Sequence, residues 1–239
     1  MPLPKIATPT YELELPSTGR FIKYRPFLVK EEKVLILALE SQDVKQITLA
    51  IKSVLKDCIL TRGVKVEELP SFDIEYIFLN VRGKSVGEEI EVNIIAPDDG
   101  ETAIPVKIGI DEIKVIKSKD HNNKIKLDDT LIMEMKYPSL DEFIKNNFDV
   151  NSEMDIDKSF ELIASCIDKI YNSEEVWSSS DVTKSELIDF LGQMNSSQFK
   201  DVERFFTTMP KLSHELKVKN PKTKVESTVV LEGLSSFFA

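Results

Sequence analysis

His121 and His214 are the only histidines in the chain, and so its only side chains with an ordinary pKa near neutrality. His121 lies in a stretch rich in Lys, Asp and Asn, where a solvated ring is expected. His214 is flanked by Ser213 and Glu215, but adjacent residues of a strand point to opposite faces, so the three do not form a nucleophile–base–acid relay. Cys58 and Cys166 sit far apart inside helix-like apolar patterns. They read as small buried hydrophobes in a reducing compartment, not as a disulfide or a metal pair. No G-x-S-x-G, C-x-x-C or H-E-x-x-H occurs.

Phosphate chemistry has one candidate, Arg82-Gly83-Lys84-Ser85-Val86-Gly87, whose Gly-Lys-Ser matches the end of a phosphate-binding loop. The first glycine of that motif is missing. The segment also follows a helix pattern and leads into a strand pattern, the reverse of the order the loop requires. A helix end is the better reading. Asp98-Asp99, Asp128-Asp129 and Asp141-Glu142 are acidic pairs, but each falls in a turn or at a helix start, where carboxylates are solvated or favoured by the helix dipole. The expectation is a non-enzymatic binding protein with no cofactor and no metal.

Composition narrows the partners. The 239 residues carry a net charge of −10, which disfavours nucleic acid as the main partner. No apolar run approaches the roughly 20 residues needed to cross a bilayer, and Met-Pro-Leu-Pro does not open a signal peptide. With 41% hydrophobic and 30% charged residues the chain has the make-up of a folded protein.

The pattern along the chain comes in blocks. Tyr11–Leu15 and Arg20–Tyr24 alternate around Pro16-Ser17-Thr18-Gly19, which reads as a hairpin. Helices are expected from Lys30, from Asp43 to Arg62-Gly63, and from Pro70 until Gly83 and Gly87 break the pattern, with a short extended piece over Val66–Leu69. A second hairpin spans Glu88–Ile110 around Ala96-Pro97-Asp98-Asp99-Gly100. A further strand covers Leu131–Tyr137, and a helix opens at Ser139 with Glu142 in a capping box. Phe160–Tyr171 reads as an amphipathic helix, and residues 172–182 as a loop. Two more helices are capped by Thr183 with Glu186 and by Ser196 or Ser197. A third hairpin turns at Asn220-Pro221-Lys222-Thr223-Lys224, between Glu215–Lys219 and Val225–Leu231. Strands and helices in separate blocks mean α+β with antiparallel pairing. The divisions read as 1–84, a hairpin plus helices; 85–137, a β-hairpin unit; 138–210, a helical insertion; and 211–239, a hairpin pairing back onto 85–137.

Surface aromatics are the remaining candidates. The chain ends Gly233-Leu234-Ser235-Ser236-Phe237-Phe238-Ala239, and such an apolar terminus either folds onto its own core or inserts into a partner. Leu234, Phe237 and Phe238 are therefore candidate contacts, with Tyr11 beside the N-terminal arm and Trp177 beside its serine run.

Three segments carry a family likeness. Arg20-Phe21-Ile22-Lys23-Tyr24-Arg25-Pro26-Phe27-Leu28-Val29-Lys30-Glu31-Glu32-Lys33 resembles the strand, R-P-F, helix opening of T4-type phage baseplate hub subunits. Val81–Glu88 and Leu231–Phe238 are similar to later segments of that family, in the same order. The resemblance implies a structural part of the baseplate hub in a contractile tail, present in the virion and made in the host cytoplasm, with other baseplate and tail proteins as partners. The same region also occurs in hub assembly chaperones, so a transient chaperone is the alternative. It is compatible with one copy or with several around the tail axis. Some relatives carry cysteine knuckles at the turns of the two later hairpins, as in a zinc ribbon. Here those turns hold no Cys, so the implied shape is a degenerate, metal-free zinc ribbon.

Overall fold

The computed structural model describes residues 6–41, 43–139 and 156–237. It is α+β, with four small sheets among the described residues, all of them antiparallel. The helix expected at Ser139–Glu142 lies outside the described residues, as does Phe238.

The chain divides into two compact units, 1–116 with 211–239, and 117–210. The first opens with β1 (Tyr11–Glu14) and β2 (Phe21–Tyr24), paired Tyr11 to Tyr24 and Leu13 to Ile22 across the Pro16–Gly19 turn. Asp73, fully buried, accepts the Ser17 N–H at 3.0 Å and the Ser17 hydroxyl, which fastens that turn to the start of a helix. Helices α1 (Val29–Glu40) and α2 (Val44–Cys58) follow. Asp43 caps α2 by accepting the Lys45 N–H. The helix stops at Cys58, before Arg62-Gly63, because Ile59 is extended and bridges Tyr24. Val66–Glu68 is a 3-10 turn where an extended piece was expected.

Helix α3 (Ser71–Val86) runs through Gly83 and ends at Gly87. Gly83 is there for packing: a Cβ would lie 2.5 Å from Cδ1 of Ile110. The Gly-Lys-Ser segment is thus the last turn of a helix. Ser85 donates to the Val81 carbonyl at 2.6 Å and accepts the Phe27 N–H at 2.9 Å, which joins the R-P-F segment to α3.

Strands β3 (Glu89–Ile95) and β4 (Ala103–Gly109) form the second hairpin, and Ile90, Val92 and Ile94 face inward in strict alternation. The third hairpin, β10 (Lys211–Lys219) and β11 (Glu226–Glu232), is joined at the β10 edge by β5 (Lys114–Ile116). Its strand pairing with residues 85–137 is made, among the described residues, by β5. Each hairpin leads into a 3-10 turn, Ile110–Glu112 or Leu234–Phe237. Their own turns match as well: Gly100 N–H reaches the Ala96 carbonyl and Lys224 N–H the Asn220 carbonyl, with φ of 67° and 66° at Gly100 and Lys224. Leu79, Ile90, Val92, Ile108, Ile113 and Leu212 belong to the core cluster between these elements.

The second unit holds one sheet in the order β6 (Lys124–Lys126), β7 (Ile132–Met135), β8 (Ile167–Tyr171) and β9 (Val176–Ser178). Its helices among the described residues are α4 (Ile156–Ser165), α5 (Lys184–Gly192) and α6 (Ser196–Thr208). The single helix expected over Phe160–Tyr171 is therefore a helix followed by a strand. The Ser165 hydroxyl bonds back to the Leu162 carbonyl, and from Ile167 the chain pairs with β7. Met135 pairs with Ile167 but Glu134 with Lys169, so Asp168 is an extra residue, a bulge. The bulge puts Ile167 and Ile170 on one buried face, although their i, i+3 spacing mimics a helix stripe. The 172–182 stretch contains β9 instead of being all loop. β7 pairs with β8, so β6 and β7 fall in the same compact unit as the helical segment. The Thr183–Glu186 capping box forms as expected; the next helix is capped by Asn195 with Gln198 rather than by a serine.

Candidate protein interface

Local chemistry launches α1. After β2, the Arg25 N–H bonds the Cys58 carbonyl and the Arg25 guanidinium donates to the Pro26 carbonyl. The guanidinium also pairs with Glu31 at 3.0 Å, with the Glu31 carboxylate almost fully buried. Glu31 accepts the Leu28 N–H at 2.7 Å, half of a capping box at the helix start. Burial pushes the Glu31 pKa up, but hydrogen bonds from Arg25, the Leu28 N–H and Lys30 outweigh it and hold the group below its ordinary value. The R-P-F motif therefore sets the direction in which α1 leaves the hairpin.

From there the sequence Val34-Leu35-Ile36-Leu37-Ala38-Leu39 is apolar without a break, which at 3.6 residues per turn puts apolar side chains all round the helix. Ala38 is buried. On the solvent side Val29 is 80% exposed and Leu37 55%, with Leu28, Val34 and Ile36 also exposed; on α2, Leu49 is 67% exposed. This apolar helix surface is the feature that the reading of chain ends and lone aromatics missed. Its sequence signal was the unbroken run itself, since a helix with only one face to bury needs no such run.

The aromatic candidates separate. Of the two fates open to the C-terminus, Phe237 takes the inward one: it is 1% exposed, within the cluster of Leu79, Ile90 and Leu212. Its ring serves its own core and is withdrawn from the contact surface. The side chain of Leu234 lies outside the described residues. Tyr11 is half-buried, 5.7 Å from the Tyr24 ring, with Lys84 Nζ 5.2 Å above it. Trp177 remains 38% exposed on the edge strand β9, beside exposed Val176.

The groups with possible chemistry are held by their neighbours. His121 is not solvated as expected. Its Nδ1 lies 3.0 Å from the Thr208 hydroxyl and its Nε2 2.9 Å from the Tyr137 hydroxyl. Thr208 donates to the Arg204 carbonyl, so it accepts from Nδ1–H, which leaves Nε2 to accept from Tyr137. Burial, aided by the charge of Lys117, lowers the His121 pKa and favours this neutral ring. His214 lies 3.7 Å from Glu112, while Ser213 and Glu215 belong to its own strand. Cys58 and Cys166 are both buried, and burial raises the Cys58 pKa to about 11. A cleft of about 360 Å³ in the second unit is lined by Lys124, Ile125 and Lys126 and by Asp201, Arg204 and Phe205, a surface of mixed charge. Asp128 accepts from Thr130 and Leu131 within its turn, and Asp129 pairs with Lys126. Asp141 and Glu142 lie outside the described residues. Among the described residues, no group of three or more His, Cys, Asp or Glu is placed to hold a metal, and no helix is long and apolar enough to cross a membrane.

What the first unit offers the solvent is an apolar helix surface braced by a buried ion pair. Comparison with known families supplies the class. The family model of the T4 bacteriophage base plate protein matches residues 8–239, so the chain belongs to that family. It is a phage baseplate protein, with the tail baseplate of the virion as its place and other baseplate proteins as its partners. No curated protein and no solved structure matches it.

Proposed function

We propose that this protein is a structural component of the baseplate hub, acting through protein–protein contacts, without catalysis, cofactor or nucleic acid. The observation that carries the reading is the apolar surface of α1, which leaves Val29, Val34, Ile36 and Leu37 in water in the isolated chain. Large apolar side chains left exposed together on one helix fit a contact site. The net charge of −10 supports the exclusion of nucleic acid. The later hairpins, each with a proline in its turn and a 3-10 turn after it, stand as a metal-free counterpart of a zinc ribbon. The protein is made in the host cytoplasm and stays in the particle, in one copy or several around the tail axis.

A hub component and a transient chaperone of hub assembly differ in the finished particle. Mass spectrometry of purified virions is expected to find its peptides in fixed ratio to other tail proteins. Their absence from virions, with the protein present in infected cells, would replace this reading with the chaperone.

A further inference from the structure

The tips of the two later hairpins meet at a buried amide. Asn220 is 1% exposed, and its Oδ1 accepts the N–H groups of Lys222 at 2.8 Å and Thr223 at 3.3 Å. Those bonds fix the side chain's orientation, so its Nδ2 must face the other turn. There it lies 3.1 and 3.2 Å from the two Asp98 carboxylate oxygens and 2.9 Å from Asp99 Oδ2. The Thr223 hydroxyl also donates to Asp98. Asp99 in turn accepts the N–H groups of Glu101 and Thr102, each at 3.0 Å, and the Thr102 hydroxyl at 2.5 Å.

We propose that Asn220, Thr223, Asp98 and Asp99 form a hydrogen-bonded clasp that joins the two turns where the family resemblance puts a cysteine-bound zinc, so that this chain closes its hairpin pair without metal. The donor set argues against a cation on two grounds. Structural zinc sites are built from Cys thiolates and His imidazoles, and neither turn supplies a thiolate or an imidazole. The space between the carboxylates is also taken by an N–H₂ group, whose positive end points where a cation would sit. The carboxylates are supplied with donors: the hydroxyl of Thr223 and then Asn220 lower the Asp98 pKa, and Thr102, Asn220 and Glu101 hold Asp99 far below the carboxylate range.

The clasp has a mechanical consequence. A two-stranded hairpin is marginal alone, and β3–β4 is a two-stranded sheet. Tying its turn to that of β10–β11 closes the far end of the pair, while their inward side chains share the core cluster.

The test uses the full chain at neutral pH, read by thermal unfolding and by amide exchange at Lys222 and Thr223. Asn220→Asp keeps the shape but sets a third carboxylate against two others. It is expected to lower the Tm by about 5 °C or more and to speed exchange at both amides. Thr223→Val, a milder change that spares the Asn220 bonds, is expected to lower the Tm by roughly 2–4 °C and keeps the test readable if the first variant does not fold. The wild-type Tm is expected to be unmoved by EDTA or by added Zn²⁺. A wild-type Tm that falls in EDTA would overturn the metal-free clasp. Wild-type Tm and exchange in both variants would overturn the clasp itself.

Discussion

Phe237→Ala is expected to destabilise the unit formed by residues 1–116 and 211–239 by about 3–5 kcal/mol, the usual loss when a fully buried phenylalanine is cut back to alanine. Phe237 is among the largest fully buried side chains, and it shares a cluster with Ile90, Val92, Ile108 and Leu212 from several strands. The 3-10 turn Leu234–Phe237 brings it there, after Gly233 takes a φ of 72° and donates its N–H to the Leu212 carbonyl. Loss of the ring leaves a cavity that fixed β-strands cannot collapse into. Truncation before Phe237 should therefore loosen the fold of this unit, so a failure of such a variant to enter tails would reflect lost folding and not a lost anchor. Chemical denaturation of the full chain checks this, read at amides of β3 and β10; an unchanged midpoint would show that the ring is not part of the core.

The second large effect is expected at the base of α1. Arg25→Leu leaves the buried Glu31 carboxylate to the exposed Lys30 Nζ at 3.1 Å and the Leu28 N–H, and removal of one member of a buried pair costs at most about 3–5 kcal/mol. Replacing both, Arg25→Leu with Glu31→Leu, should recover much of that loss, since a buried pair contributes little over a well-packed apolar pair. Arg25→Lys should not substitute fully, because the guanidinium serves the Pro26 carbonyl and Glu31 at once. The pair also gives a pH signature. The Glu31 pKa is lower in the folded state than its ordinary 4.5, so the protonated form is favoured by unfolding. Its contribution is complete above that ordinary value and is lost as the pH falls through the folded-state pKa. Urea midpoints of the single and double variants check the account; equal losses in both would show that the charge pair is not what matters.

Local signals were legible in the sequence. The turns at Pro16–Gly19, Ala96–Gly100 and Asn220–Lys224 close hairpins, and the Asp43 cap and the Thr183–Glu186 box start helices, because each rests on bonds within a few residues. What escaped depends on distant partners. Ile167 and Ile170 read as a helix stripe until β7 and the Asp168 bulge are present. Gly83 reads as a break until Ile110 packs on it. His121 reads as solvated until Thr208 and Tyr137, far along the chain, take both ring nitrogens. The clasp was hidden for the same reason, since Asp98 and Asn220 are ordinary turn residues until the two turns meet. Of the proposed surface, Tyr11 and Trp177 are legible as single aromatics, while the α1 run does not tell which of its apolar residues stay exposed until α2 packs against it.

In the proposed role, this chain makes its baseplate contacts through the apolar side chains exposed on α1. A reconstruction of the whole tail tip tests it most directly. The expected result is density for this chain with Val29, Ile36 and Leu37 of α1 covered by a neighbouring baseplate subunit. Density that shows this helix face open to solvent in the assembled tail would contradict it.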